Sequence, residues 1–277
     1  MALIFTIILF FSFGLTKDRV KPLEDSTKYP IYGRDSNVYE YYRNNFLDER
    51  QQKVYDNFLE AALQFKPRFY ADVDYLTEDE LKNIFYFLDA DHPEVFWIRS
   101  YSCLTLNGKV YTNFNINIIY RYEKEEAIKK HNIIKEKYEP IIKEAMKYST
   151  RRQKTDFVRK KLMNMSECYI PNSEEEQDFY CMVSIFEKGK SFCSGYSYSF
   201  KFLMDKLGVP AICVFYNGQG AHIWNMVELN NKWYNLDITY DDYLRNVSKD
   251  RYYLVDNETF YKDHHINESL PNLKEEN

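Results

Sequence analysis

No Cys-x-x-Cys pair occurs among the five cysteines, which lie at 103, 168, 181, 193 and 213. A zinc ribbon and a thioredoxin-type redox motif both need two thiols on one tight turn, so neither is indicated. The chain also lacks a run of basic residues interleaved with aromatics. Its formal net charge is −5, whereas a general nucleic-acid binder carries a concentrated basic surface. The short stretch Arg151-Arg152-Gln153-Lys154 is expected to be a solvated helix face. There is no internal repeat, and no low-complexity segment away from the ends. No metal, cofactor or nucleic-acid partner is therefore expected. A length of 277 residues suits one large domain, or a core domain with an added N-terminal layer.

One long apolar run is present, from Ala2 to Leu15. It is shorter than the roughly 20 residues that span a bilayer, and it has the length of a signal-peptide core. No Lys or Arg precedes it, and Ser12-Phe-Gly14-Leu-Thr16 is a poor small-residue cleavage site. Residues 1–16 are thus expected to be a signal peptide or a signal anchor, and 17–37 a polar linker. The chain is expected to be secreted or held at the cell surface, with membrane or cell-wall association through its N-terminus an open alternative. In an exported chain an odd cysteine count leaves at least one free thiol. Cys181 and Cys213 are expected to be core thiols or a disulfide.

Helical spacing of Val54, Phe58, Ala61, Ala62 and Phe65 predicts a helix within 38–65 that Pro67 stops. Thr77-Glu-Asp-Glu80 is a capping box that opens a helix over 78–89. Val95–Ser102 and Val110–Tyr120 read as strands around an Asn107-Gly108 turn. Helices follow over about 123–148 and 154–165.

The last hundred residues hold the chemistry. Cys193 opens a predicted helix carrying Tyr196, Phe200, Leu203 and Leu207, which Gly208 caps and Pro210 ends. Free N–H groups and the helix dipole at such a place stabilise an anion, a thiolate included. Three strands are then expected: 211–216, 222–229 and 232–239, the last two joined at Asn230-Asn231. If that turn is a two-residue loop, Leu229 pairs with Lys232. His222 then lies opposite Thr239, and Asp237 sits diagonally on the same face, within side-chain reach. A slip of one residue would separate them. Thiol, imidazole and carboxylate are the parts of nucleophilic catalysis: nucleophile, base, and the group that orients the base.

These segments resemble the transglutaminase-like superfamily of papain-like proteins. The residues that carry the resemblance are Ser191-Phe-Cys193-Ser-Gly195-Tyr196, His222-Ile-Trp224-Asn225 and Trp233-Tyr234-Asn-Leu-Asp237-Ile-Thr239. Ser191 departs from the glycine or small residue common there. Asp91-His-Pro-Glu-Val-Phe-Trp97, the helix before Tyr169 and Arg251-Tyr-Tyr-Leu also look like bacterial-type members. The resemblance implies Cys193 as nucleophile, His222 as base, Asp237 as orienting acid and a thioacyl-enzyme intermediate. It implies an oxyanion held by the Cys193 N–H and a second donor, for which Tyr180 and Tyr196 are candidates.

The fold class expected is α+β: a transglutaminase/papain-like core with N-terminal helices packed on an antiparallel β-sheet. Residues 38–122 would be accessory helices and a hairpin, and 123–277 the catalytic core. Trp224, Tyr196 and Asn225 are candidate substrate-binding residues, although Trp224 and Trp233 also suit core or cleft-wall packing. His264-His265 is expected on a surface loop, and Asp241-Asp242 in a solvated turn rather than on calcium. The expected function is hydrolysis or transfer of peptide or protein amides outside the cytoplasm. The alternative is a non-catalytic surface module on the same fold.

Overall fold

The computed structural model describes residues 34–112, 116–171, 176–216, 221–245, 248 and 250–265. The expected signal segment, most of the linker and the turn at 217–220 lie outside them. Among the described residues no helix is long and apolar enough to cross a membrane.

The stretch expected as one helix over 38–65 is two, α1 (Tyr41–Phe46) and α2 (Glu49–Leu63). Asp48 separates them. Its carboxylate accepts from the Gln51 N–H, and the Gln51 side chain returns a bond to the Asp48 N–H. That reciprocal cap starts a new helix where the apolar spacing alone runs on. After β1 (Arg68–Phe69) and β2 (Leu76–Thr77), α3 (Glu78–Asp91) begins at the capping box read from the sequence.

Next come β3 (Ile98–Ser102), β4 (Thr105–Leu106), β5 (Lys109–Val110) and β6 (Ile116–Tyr120). Asn107 and Gly108 both adopt positive φ, at 51° and 71°, as a two-residue hairpin turn requires. The strand expected over 110–120 is therefore split between β5, which pairs with β4 and β2, and β6, which lies between β1 and β3. Helices α4 (Lys124–Ala145) and α5 (Arg151–Met165) follow. Helix α5 starts three residues before the expected point because Thr150 and Gln153 form another capping box. Arg151, Arg152 and Gln153 are exposed on its first turn.

The remainder builds the site. Short β7 (Glu167–Cys168) runs parallel to β8 (Lys190–Ser191), which leads into α6 (Cys193–Lys206). Strands β9 (Ala211–Tyr216), β10 (His222–Leu229) and β11 (Lys232–Leu236) form an antiparallel sheet. Helix α7 (Ile238–Tyr243), edge strand β12 (Tyr253–Val255) and α8 (Asn257–Phe260) complete the described chain. The sheet order is β12-β11-β10-β9. Helix α6 packs across β9 and β10, and α3 packs against β9.

The architecture is α+β. One core cluster runs without a break from Tyr42 and Phe58 through Trp97 to Phe200, Trp224 and Phe260. The N-terminal helices are fastened to the sheet: the Tyr42 hydroxyl donates to the Cys213 carbonyl at 2.5 Å. Trp233 on β11 packs against α1, 5.8 Å from the Tyr41 ring.

Candidate active site

Cys193 is the first residue of α6 and follows Phe192, which offers no side-chain cap. The first turn carries no acidic residue. Backbone N–H groups there are thus aimed at whatever the thiol approaches. A tight fit holds this turn. A Cβ on Gly195 would stand 2.1 Å from Ser191 Oγ and 2.3 Å from Ser184 Oγ. Those two hydroxyls bond each other at 3.0 Å. Ser191, the departure from the family pattern, therefore fills the space that Gly195 leaves. Gly195→Ala should force the turn apart and lower stability by about 1–3 kcal/mol, the usual cost of overpacking, read as a lower urea midpoint at unchanged slope.

His222 opens β10. The Asn230-Asn231 turn has φ of 55° and 62°, and Leu229 pairs with Lys232 and Asn225 with Leu236, the register read from the sequence. The strand expected to reach Thr239 stops at Leu236. Asp237 leaves the sheet and becomes the N-cap of α7, its Oδ1 accepting from the Tyr240 N–H at 3.0 Å. That places Oδ2 2.6 Å from His222 Nε2. The Cys193 thiol interacts electrostatically with the same ring, and with Nε2 given to Asp237, Nδ1 is the nitrogen left to face it.

Asp237 is fully buried. Burial alone would raise its pKa, but His222, His264 and the Tyr240 N–H hold it down to about 2. Burial would likewise lower the pKa of His222. The Asp237 carboxylate and the Cys193 thiol outweigh that and lift it to about 10. At neutral pH the site holds an imidazolium between the Asp237 carboxylate and the Cys193 sulfur. Tyr240 stacks on the His222 ring at 4.7 Å and 16°, covering the His–Asp bond while keeping one edge exposed.

The three candidate substrate-binding residues are all buried. Tyr196 is wholly buried and donates its hydroxyl to Asp242 Oδ2 at 2.8 Å. Trp224 is wholly buried, with Nε1 donating to Asn235 Oδ1. Asn225 Nδ2 donates to the Ser197 and Ile212 carbonyls and ties α6 to β9. Tyr180 is half-buried at the end of a tight turn, Gln177–Tyr180. Ser194 Oγ fastens that turn to α6 through the Phe179 carbonyl. Cys181 and Cys213 are buried unpaired thiols.

Two expectations are corrected. Asp241 and Asp242 are buried, not solvated. Asp241 pairs with Arg159 and accepts from the Tyr252 N–H, while Asp242 accepts from the Cys168 N–H and Tyr196. These bonds brace α7 against α5, β7 and α6. His264 is also buried rather than on a surface loop, and its Nε2 lies 3.0 Å from Asp237 Oδ2. Among the described residues, His222, Asp237 and His264 are the group whose ligand atoms cluster within 4.8 Å. Both nitrogens already address one carboxylate oxygen, so this donor set is spent on hydrogen bonds.

No family model and no curated protein matches the chain. Solved structures similar to it include a TGase at 20% identity and a TM-score of 0.33, covering 51% of this chain and 44% of that one. A candidate cysteine protease from Cytophaga hutchinsonii is similar at 12% identity and 0.32, over 50% and 61%. The periplasmic domain of TgpA from Pseudomonas aeruginosa is similar at 13% identity and 0.30, over 51% and 61%. The chain thus spans less than two thirds of each. The likeness is one of fold, to transglutaminase-like and cysteine-protease structures, over half of this chain.

Proposed function

We propose that the protein is a cysteine-nucleophile enzyme acting on peptide or protein amides outside the cytoplasm. The observation that carries this reading is the 2.6 Å His222–Asp237 bond, with the helix-terminal Cys193 on the other side of the imidazole. The thiolate attacks the amide carbonyl, and first-turn N–H groups of α6 hold the oxyanion. Collapse breaks the C–N bond, and the imidazolium gives its proton to the leaving amine. His222 then takes a proton from water, or from an acceptor amine, as that nucleophile attacks the thioester. Water gives a peptidase or amidase and an amine gives a transglutaminase. The apolar run at the N-terminus supports placement outside the cytoplasm.

Iodoacetamide labelling of Cys193 against pH, followed by mass spectrometry, tests the pair. The His222 pKa is raised to about 10, so the imidazolium persists through neutral pH and is lost as pH rises past that value. In His222→Ala the thiol should label like a free one, whose rate falls below about pH 8.5. At pH 6 the native protein should label about tenfold faster or more, and the two profiles should converge above pH 10. Identical profiles would remove the enzyme reading and leave a binding module on the same fold.

A further inference from the structure

His264 was read from the sequence as a surface residue, yet it is 4% exposed and enclosed on every side. Its ring stacks on Phe260 at 3.8 Å and 28°. Trp224 and Tyr252 meet it edge-on, at 5.4 and 5.0 Å, and Tyr240 lies at 5.1 Å. The backbone N–H of His264 donates to the Phe260 carbonyl at the end of α8. An imidazole held by four aromatic rings has no rotamer freedom left to lose. What it presents is Nε2, 3.0 Å from Asp237 Oδ2. That oxygen is the same one that faces His222, and the two imidazole centroids are 5.9 Å apart.

Oδ2 therefore sits between two ring nitrogens, while Oδ1 is fixed by the Tyr240 N–H. A carboxylate held at both oxygens, with one oxygen shared, cannot swing. Without His264, Oδ2 would have the catalytic imidazole as its one hydrogen-bond partner, and the carboxylate could rotate with it. We infer that His264 is a positioning residue of this site: it locks the Asp237 carboxylate so that His222 stays turned toward Cys193. The inference rests on the Cys–His reading above and adds a fourth member, supplied by the segment after α8.

The charged and titratable neighbours have to be considered in any pH measurement. His264 is faced by Asp237, His222, Tyr240 and Tyr252, and by Asp263, whose Oδ1 is 3.4 Å from Nδ1. Asp237 also feels Asp241 on its own helix and Cys168 from β7, and His222 feels Cys193. None of these neighbours is altered by a change at position 264, so a shifted profile reports the lost bond.

The test compares the native protein with His264→Phe, which keeps a stacking ring and removes the donor, and with His264→Gln, which keeps an N–H. Cys193 labelling by iodoacetamide is followed from pH 5 to 10, with thermal melts alongside. His264→Phe should label about tenfold more slowly at pH 6, the factor carried by a hydrogen bond to a charged group. Its profile should move toward that of His222→Ala, and His264→Gln should recover most of the rate. If His264→Phe does not fold, His264→Leu makes the same comparison. Native-like labelling in the Phe variant at every pH would overturn the inference. So would a Gln variant that labels no faster than the Phe variant, because the ring would then matter for packing alone. If the native protein and His222→Ala label alike, it is the Cys–His pair that fails first, and the inference falls with it.

Discussion

Asp237→Asn should slow acylation of Cys193 by about 10³- to 10⁴-fold, the order seen when an orienting carboxylate becomes an amide, while the protein stays folded. The reason lies in how the carboxylate is used. Oδ2 takes His222 and His264 at 2.6 and 3.0 Å, and Oδ1 takes the Tyr240 N–H that starts α7. An asparagine has one acceptor atom. If its oxygen caps α7, its NH₂ group points at two imidazole nitrogens that need an acceptor. If it turns over, the imidazoles keep an acceptor but α7 loses its cap, worth about 1 kcal/mol. Either way His222 loses the negative charge that lifts its pKa to about 10, and it should return toward the ordinary value near 6.5. The imidazolium would then be lost on raising pH through neutrality rather than near 10. The p-nitrophenol burst from p-nitrophenyl acetate, measured against pH with a melt as control, reads both effects. A native burst in Asp237→Asn would show that the carboxylate has no part in the chemistry.

Much of this site was legible because it is built from local signals. Gly208 and Pro210 end α6, the two asparagines at 230 and 231 fix the hairpin, and the pairing that starts at Leu229 and Lys232 carries His222 and Asp237 to one edge. The strand ends at Leu236, three residues before the sequence pattern implies. Ile238, Thr239 and Tyr240 all favour strands, and that masked an equally local signal, an aspartate three residues before a free N–H. The result survived because a residue leaving the sheet at Leu236 still emerges beside His222. His264 was not legible. It meets Asp237 across 27 positions of chain, and no spacing rule covers such a contact. The burial of Asp241 and Asp242 has the same cause, since their partners sit on α5, α6 and β7. Helix α6 carries one sign of its burial in its own composition. Between Cys193 and Asp205 it has little polar surface beyond small serines, and a helix of that kind is buried all round. Lys201 and Asp205 would otherwise pass for an exposed pair one turn apart.

That pair yields the second large effect. Lys201 is fully buried, and its Nζ donates to Asp205 Oδ2 at 2.5 Å and to the Asp91 carbonyl at 3.4 Å. Asp91, at the end of α3, accepts from the Tyr42 and Arg43 N–H groups and from the Tyr55 hydroxyl. It thereby caps α1, whose own N-cap, Glu40, supplies no side-chain bond. Asp205 accepts from the Tyr39 N–H. One ammonium thus pairs with Asp205, acts on the Asp91 carboxylate through space, and ties the end of α3 to the helix bearing Cys193 through the Asp91 carbonyl. Lys201→Met keeps the apolar stem and removes the charge. It should lower unfolding free energy at pH 7 by about 3–5 kcal/mol, the cost of leaving a buried charge without its partner, seen as a lower urea midpoint. The loss should depend on pH in a defined direction. Burial already holds Asp91 up at about 6, above its ordinary value, with Lys201 pulling the other way. Without Lys201 the folded-state pKa rises further, so the folded protein takes up a proton that the unfolded chain, with its ordinary carboxyl, does not. Stability is then regained as pH falls through the raised pKa and lost again as pH rises through it. Lys201→Met should therefore approach the native midpoint near pH 5 and differ most above pH 7. Combining it with Asp205→Leu should restore part of the loss, because the pair is then replaced rather than broken. A pH-independent deficit, unrelieved in the double variant, would mean that Lys201 acts through packing and not through its charge.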